Sequence, residues 1–375
     1  MNKKDVSSKE MRAWLALSHI NISCQKLQHF FDHYSSISEL FELSEKQLQS
    51  LGFRQGLKER LDSIDSATID QDVAWFDSDN KHLIPFVSDD YPALLREIDS
   101  APKLLFVQGH KELLKQHQIA IVGTRNPTHQ GKDNATEFAR TLARAGAVIT
   151  SGLALGVDGF AHQAVLDQNL PTIAVAGTGL DRVYPARHKA MAQEIVEKGA
   201  IVSEFALGTG VRATHFPARN RIISGMSLGT LVVEAAVKSG SLITARLAME
   251  QSREVFAIPG SIHNPLARGC HALIKQGVKL VETAEEIIEE LGALVSWQNE
   301  SLFEEGKRSQ QEAKDFELDQ EYQELMQHVD YDTTSMDTII ERSGLEIDVV
   351  SHMLLLLELN DHIVSVAGGY QRRSS

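Results

Sequence analysis

Ile119-Ala-Ile-Val-Gly-Thr-Arg125 and, one amphipathic helical stretch later, Ala147-Val-Ile-Thr-Ser-Gly152 decide how this chain folds. Each is a short run rich in Val and Ile that ends on glycine or a hydroxyl residue. Strand, helix and strand in that order make a parallel crossover, because parallel neighbours cannot be joined by a tight turn. The rhythm continues through Thr172 to Ala176, Ala200 to Val202, Thr230 to Val233, Val255 to Ile258 and Val278 to Val281. Seven such runs alternating with helices predict an α/β domain with a doubly wound, mostly parallel sheet.

The resulting Rossmann-like core runs from about Leu113 to Leu291, inside a domain bounded at residues 81–292. Upstream, His82 leads through Tyr91-Pro92 and Pro102 to Leu104-Leu-Phe-Val-Gln-Gly109, a connector expected to add edge strands. Residues 1–80 read as short helices, with Ser44 and Gln47 in capping-box spacing and Gly52 as a stop. The module has a sterile-α-motif or helix-hairpin-helix look. The turn His19-Ile-Asn-Ile-Ser23 lacks the glycines that would admit DNA backbone, which favours packing or docking. Residues 293–319 are polar and charged and read as a linker. In 320–375, three helical stretches followed by Ile363 to Val366 and Gly368-Gly369 fit a winged helix.

Composition narrows the function classes. Two cysteines, Cys24 and Cys270, are too few for a disulfide framework, and no signal-peptide pattern or bilayer-length apolar run is present, so a cytoplasmic protein is expected. The net charge is −14, yet between Leu113 and Val281 18 Lys and Arg stand against 11 Asp and Glu. A basic middle with acidic flanks permits a polyanion site in the middle domain.

Ligands of open parallel sheets sit at the carboxyl ends of the strands. Here those ends read Gly123-Thr124-Arg125, Ser151-Gly152, Gly177-Thr178-Gly179, Ser203-Glu204, Glu234 and Pro259-Gly260. Glycine admits close approach, hydroxyls and free N–H groups donate, and helix N-termini favour anions. Arg125 adds a bidentate phosphate grip. Pro217-Ala-Arg219-Asn220-Arg221 opens the helix before the fifth strand, below Arg212, His215 and Phe216, and Lys238-Ser239-Gly240-Ser241 follows that strand. With Arg187, these residues form the expected phosphate rim, with Arg219 and Arg221 expected on exposed loops and Phe216 as the candidate base stacker.

Enzyme patterns fail on context. No G-x-G-x-x-G follows the first strand, and Gly131-Lys132 continues with Asp133 rather than completing a P-loop. Gly225-Met-Ser227-Leu-Gly229 fits a nucleophile elbow, but it runs from helix into strand, the wrong order. The histidines show no metal-ligand spacing, and His162 and His271 read as structural. No catalytic set, metal or cofactor is expected.

In order, Ile121-Val-Gly-Thr-Arg125, Ser151-Gly-Leu-Ala-Leu-Gly-Val-Asp158 with Ala161-His162, Gly177-Thr-Gly-Leu-Asp181 with Tyr184-Pro185, Phe216-Pro-Ala-Arg-Asn-Arg-Ile-Ile-Ser224, Val232-Val-Glu-Ala235, Ser239-Gly-Ser-Leu-Ile-Thr-Ala245 and Ala257-Ile-Pro-Gly260 resemble the DNA-processing protein A (DprA/Smf) family. The resemblance implies a homodimer that protects incoming single-stranded DNA during natural transformation and loads RecA recombinase onto it, with single-stranded-DNA-binding protein as a further partner. Cys270-His271 departs from the family's hydroxyl-Asn pattern. A competing reading is a nucleotide-cleaving, phosphoribohydrolase-like enzyme using Glu234 with Arg219, although its P-G-G-x-G-T signature is missing ahead of Glu234. In the winged helix, Leu345 to Asn360 contains no Lys or Arg, so duplex recognition is not expected of it and protein contact is.

Overall fold

A computed structural model describes residues 8–292, 320–360 and 362–373. The expected linker, 293–319, lies outside the described residues. The seven expected parallel strands all form: β3 (Gln118–Val122), β4 (Val148–Gly152), β5 (Thr172–Val175), β6 (Ala200–Ser203), β7 (Gly229–Val232), β8 (Glu254–Ala257) and β9 (Lys279–Leu280). With β1 (Lys81–Pro85) and β2 (Leu104–Gly109) they build one nine-stranded sheet in the order β1-β2-β6-β5-β4-β3-β7-β8-β9.

Strands β3 to β7 are buried on both faces, as helices on either side of a parallel sheet require. Along β3 the side chains alternate between two cores: Ile119 and Ile121 join Phe138, Leu142 and Ile287 on one face, while Ala120 and Val122 join Ile222, Ile223 and Leu273 on the other. The architecture is Rossmann-like and doubly wound: β3 and β7 are parallel neighbours, and the order in which strands are added reverses between them.

The connector corrects one expectation. β1 is an edge strand, but β2 is internal, running antiparallel to both β1 and β6. The helical module covers this side: Phe76 stacks on Phe106 of β2, Trp14 meets Phe86 edge-on, and Lys103 Nζ donates to Ile20 O at 2.7 Å. Module and sheet share one hydrophobic cluster, so packing is the structural role of these helices. The Ser44–Gln47 capping box forms as the spacing predicts.

At the C-terminus, helices Gln320–Met326, Met336–Ser343 and Ile347–Leu359 precede a hairpin of β10 (Ile363–Val366) and β11 (Gly369–Arg372), a winged helix with its own core of Leu325, Ile339, Val350, Leu354 and Leu357. Among the described residues no helix is long and apolar enough to cross a membrane.

Candidate nucleic-acid interface

The chain leaves β3 toward β4 on one side and β7 toward β8 on the other, which opens a crevice at the strand ends. A cleft of about 230 Å³ lies there, lined by Gly123, Thr124 and Arg125 after β3, Ala154 and Asp158 after β4, Phe216, Arg219 and Asn220 of helix His215–Met226, and Ser239, Gly240 and Ser241 after β7. A smaller recess of about 60 Å³ adjoins it, bounded by Leu153, Val175, Gly177, Thr178 and Tyr184, and shares Arg125, Phe216 and Arg219 with the cleft.

The loop bearing Arg125 is fastened from both sides. Thr124 N donates to Glu234 O at 2.7 Å, and the Glu234 carboxylate accepts from Thr128 N at 3.0 Å and Thr128 Oγ1 at 2.6 Å. Gly156, at φ +82°, brings the β4 loop so close that a Cβ there would sit 2.4 Å from Thr124 O. Arg125 stands at the tip, exposed, its guanidinium 5.5 Å from the Phe216 ring centroid and without a salt bridge among the described residues. Helix Gly240–Glu250 also begins at the cleft, with Ser239 as N-cap, its hydroxyl accepting from Ser241 N, and so sets the positive end of a helix dipole in the cleft wall.

Arg219 is built differently. Only 5% of it is exposed; Nη1 donates to Val175 O at 3.0 Å and Nε is buried without a partner. Its guanidinium lies on Gly152, where a Cβ would come within 1.6 Å of Nη1, so only glycine leaves it room. Asp158 lines the same cleft and acts on Arg219 through space, with no salt bridge between the two. Burial raises the Asp158 carboxyl above its usual range, with Arg219 pulling the other way; burial lowers the Arg219 guanidinium while Asp158 supports its charge.

The structure therefore sorts the expected rim. Gly123, Thr124, Arg125, Phe216, Arg219, Asn220, Ser239, Gly240 and Ser241 line the cleft, and Gly177 and Thr178 line the recess. Ser151 is buried in β4, its hydroxyl donating to Ile121 O, and Gly152 and Gly179 are buried too. Arg187 and Lys238 are exposed outside both depressions. The exposed-loop placement of Arg219 and Arg221 is corrected. Both lie on one helix, where residues two apart point to different sides; Arg219 is buried, and Arg221 is held in a bidentate pair with Glu204 at 2.7 and 2.6 Å. Asp158 and Tyr184 join the site as well, although neither belongs to the rim expected from the strand ends. Tyr184, 45% exposed with its ring 6.0 Å from that of Phe216, gives the recess a second aromatic wall.

The enzyme patterns also resolve. Ser227 is buried and donates to Ile223 O at 2.8 Å. Glu234 is occupied by Thr128 and does not line the cleft. His162 is buried, with Nε2 donating to Gly152 O at 2.9 Å and Nδ1 2.8 Å from the Thr172 hydroxyl. Cys270 is buried beneath the end of β7, where burial pushes its thiol up to about 12, so the departure at Cys270-His271 leaves the sheet intact. No group of His, Cys, Asp or Glu among the described residues could hold a metal ion.

A sequence profile of the DNA recombination-mediator protein A family matches residues 82–292, and one of the DprA winged helix domain matches residues 309–369. Protein Smf of Escherichia coli K12 is 43% identical over 326 residues, covering 87% of this chain and 86% of its own. The X-ray structure of DNA processing protein A from Streptococcus pneumoniae superimposes with a TM-score of 0.66 at 37% identity, over 77% of this chain and 99% of that one. DNA processing protein A from Helicobacter pylori, whose structure was described for its single-stranded DNA binding mode, superimposes with a TM-score of 0.52 at 31% identity, over 56% and 95% of the two chains. Matched by the family profile over more than half its length and aligned with the Escherichia coli relative across most of both chains, the protein belongs to the DNA recombination-mediator protein A family.

Proposed function

We propose that this protein binds single-stranded DNA in the strand-end cleft without turning it over, protects it in the cytoplasm after uptake in natural transformation, and passes it to RecA recombinase, acting as a homodimer. The observation that carries the reading is Arg125, an exposed cation on a braced loop with no salt bridge among the described residues, sharing the cleft with a helix N-terminus and with Phe216 beside it. Arg125 and the helix N-terminus hold phosphate, Phe216 and Tyr184 offer faces to bases, and Arg219 fixes the wall between cleft and recess. The single-stranded DNA binding described for the Helicobacter pylori relative supports this assignment.

A base-cleaving enzyme is the weaker reading, because the Glu234 carboxylate is bonded to Thr128 and lies outside the cleft. The purified chain is titrated against labelled single-stranded and duplex oligonucleotides at several salt concentrations, with and without ATP, alongside an assay for free base from nucleoside monophosphates. Single strands are expected to bind at least about 10-fold, or 1.4 kcal/mol, more tightly than duplex, with no ATP effect and no free base. Equal affinity for the two, or base release abolished by Glu234→Gln, contradicts the reading.

A further inference from the structure

Helix Ile347–Leu359 occupies the place in a winged helix that would enter a DNA groove. Its inner face, Val350, Met353, Leu354 and Leu357, fills the domain core. On its outer face Ile347, Ser351, Leu355 and Leu359 recur every fourth residue and form one stripe, with Ile347 55%, Leu355 53% and Leu359 70% exposed. Asp348 and Glu358 stand on the same outer face between these positions, Glu346 precedes the helix, and the helix has no Lys or Arg. A face that mixes aliphatic and acidic side chains repels phosphate and fits a protein surface that mixes aliphatic and basic ones.

A second copy of the helix does not meet that description. Paired antiparallel, position 348 of one copy faces position 358 of the other; paired parallel, each acid faces itself. Like charges oppose in both cases. Size limits the partner further. Three aliphatic side chains at these exposures present on the order of 300 Å², well below the roughly 800 Å² per partner of a free-standing complex. A contact this small persists only where the partner is tethered, at an effective concentration in the millimolar range.

The same chain carries a tethered surface of the required chemistry. Ile243, 37% exposed, and Arg125 line the strand-end cleft, and the chain enters its lining through two exposed apolar-basic pairs, Val237 (61%) with Lys238 just before Ser239 and Val211 (45%) with Arg212 just before helix His215–Met226. Between Gly292 and Gln320 the sequence has 27 residues, a length whose fully extended span reaches about 90 Å. We infer that helix Ile347–Leu359 docks through its Ile347-Leu355-Leu359 stripe on the basic rim of its own chain's cleft and competes there with single-stranded DNA. The competition rests on the reading of the cleft as the DNA site; the docking does not.

Hydrogen exchange of the full chain, with and without oligothymidylate, tests both parts, using the exposed substitutions Leu355→Ser with Leu359→Ser. Oligothymidylate is expected to speed exchange in residues 347–359. The double substitution is expected to speed it both there and in residues 237–243 without DNA, and to tighten oligothymidylate binding about 3- to 10-fold. Unchanged exchange in 347–359 under both conditions, in a protein that binds DNA normally, overturns the docking and leaves the cleft reading standing. Faster rim exchange in the double variant without any DNA binding keeps the docking and overturns the cleft reading. Protection of 347–359 that rises with protein concentration overturns the assignment to the same chain.

Discussion

Arg219→Ala is expected to lower the unfolding free energy by about 3 kcal/mol and, in the protein that remains folded, to weaken single-stranded DNA binding by more than 10-fold. The stability effect follows from where the side chain sits. Removing it leaves Val175 O without its donor and empties the space of a nearly fully buried side chain; an unsatisfied buried acceptor costs about 1 to 3 kcal/mol, and the vacated volume adds to that. The binding effect follows because Arg219 walls both the cleft and the recess. Arg125→Ala, at an exposed tip, is expected to change stability by no more than about 0.5 kcal/mol. Urea unfolding of the two variants checks this contrast; equal stabilities would show that Arg219 is a surface cation.

The second large effect is on acid stability. His162 is fully buried, and burial lowers its imidazole to about 4 from the usual 6.5. The unfolded chain therefore binds a proton that the folded one refuses between those values, and stability falls as pH drops from about 6.5 toward 4. At pH 5 the loss from this group is about 2 kcal/mol relative to pH 8. The Asp90 carboxyl, held well below its usual range by Lys111 and Lys115 against the opposing effect of burial, loses its contribution only at more acidic pH, so the two windows separate. Unfolding midpoints of wild type and His162→Gln from pH 8 to pH 5 check the assignment. The wild-type curve should fall and the variant's should be flatter; parallel curves would place the acid sensitivity elsewhere.

Sequence period carried the sheet far. β3 to β9 are legible because each β-branched run is separated from the next by a helical stretch, and the alternation itself dictates parallel strands. The position of β2 is not legible in that way: an apolar strand beside a turn fits an edge or an interior place equally until its antiparallel partners β1 and β6 are known. The site divides along the same line. Arg125, Ser239, Gly240 and Phe216 follow from strand ends and helix starts, which are local. The pairing of Arg221 is not legible in that way, because its partner, Glu204, follows β6 and no spacing rule joins the two. Ser151 reads as a rim hydroxyl, but its donation to Ile121 O depends on the neighbouring strand. Tyr184 sits in a loop without period, so only its arrival 6.0 Å from Phe216 marks it as part of the site.

The most direct test of the central claim, that the strand-end cleft holds the phosphates of single-stranded DNA, is the salt dependence of oligonucleotide affinity for wild type and Arg125→Ala. The guanidinium is exposed and unpaired by any carboxylate among the described residues, so its removal subtracts a phosphate contact without disturbing the fold. The expected result is an affinity about 10-fold weaker and a slope of log affinity against log salt shallower by about 0.7, the value for one contact to a single strand. Unchanged affinity and an unchanged slope in a folded Arg125→Ala protein would contradict it.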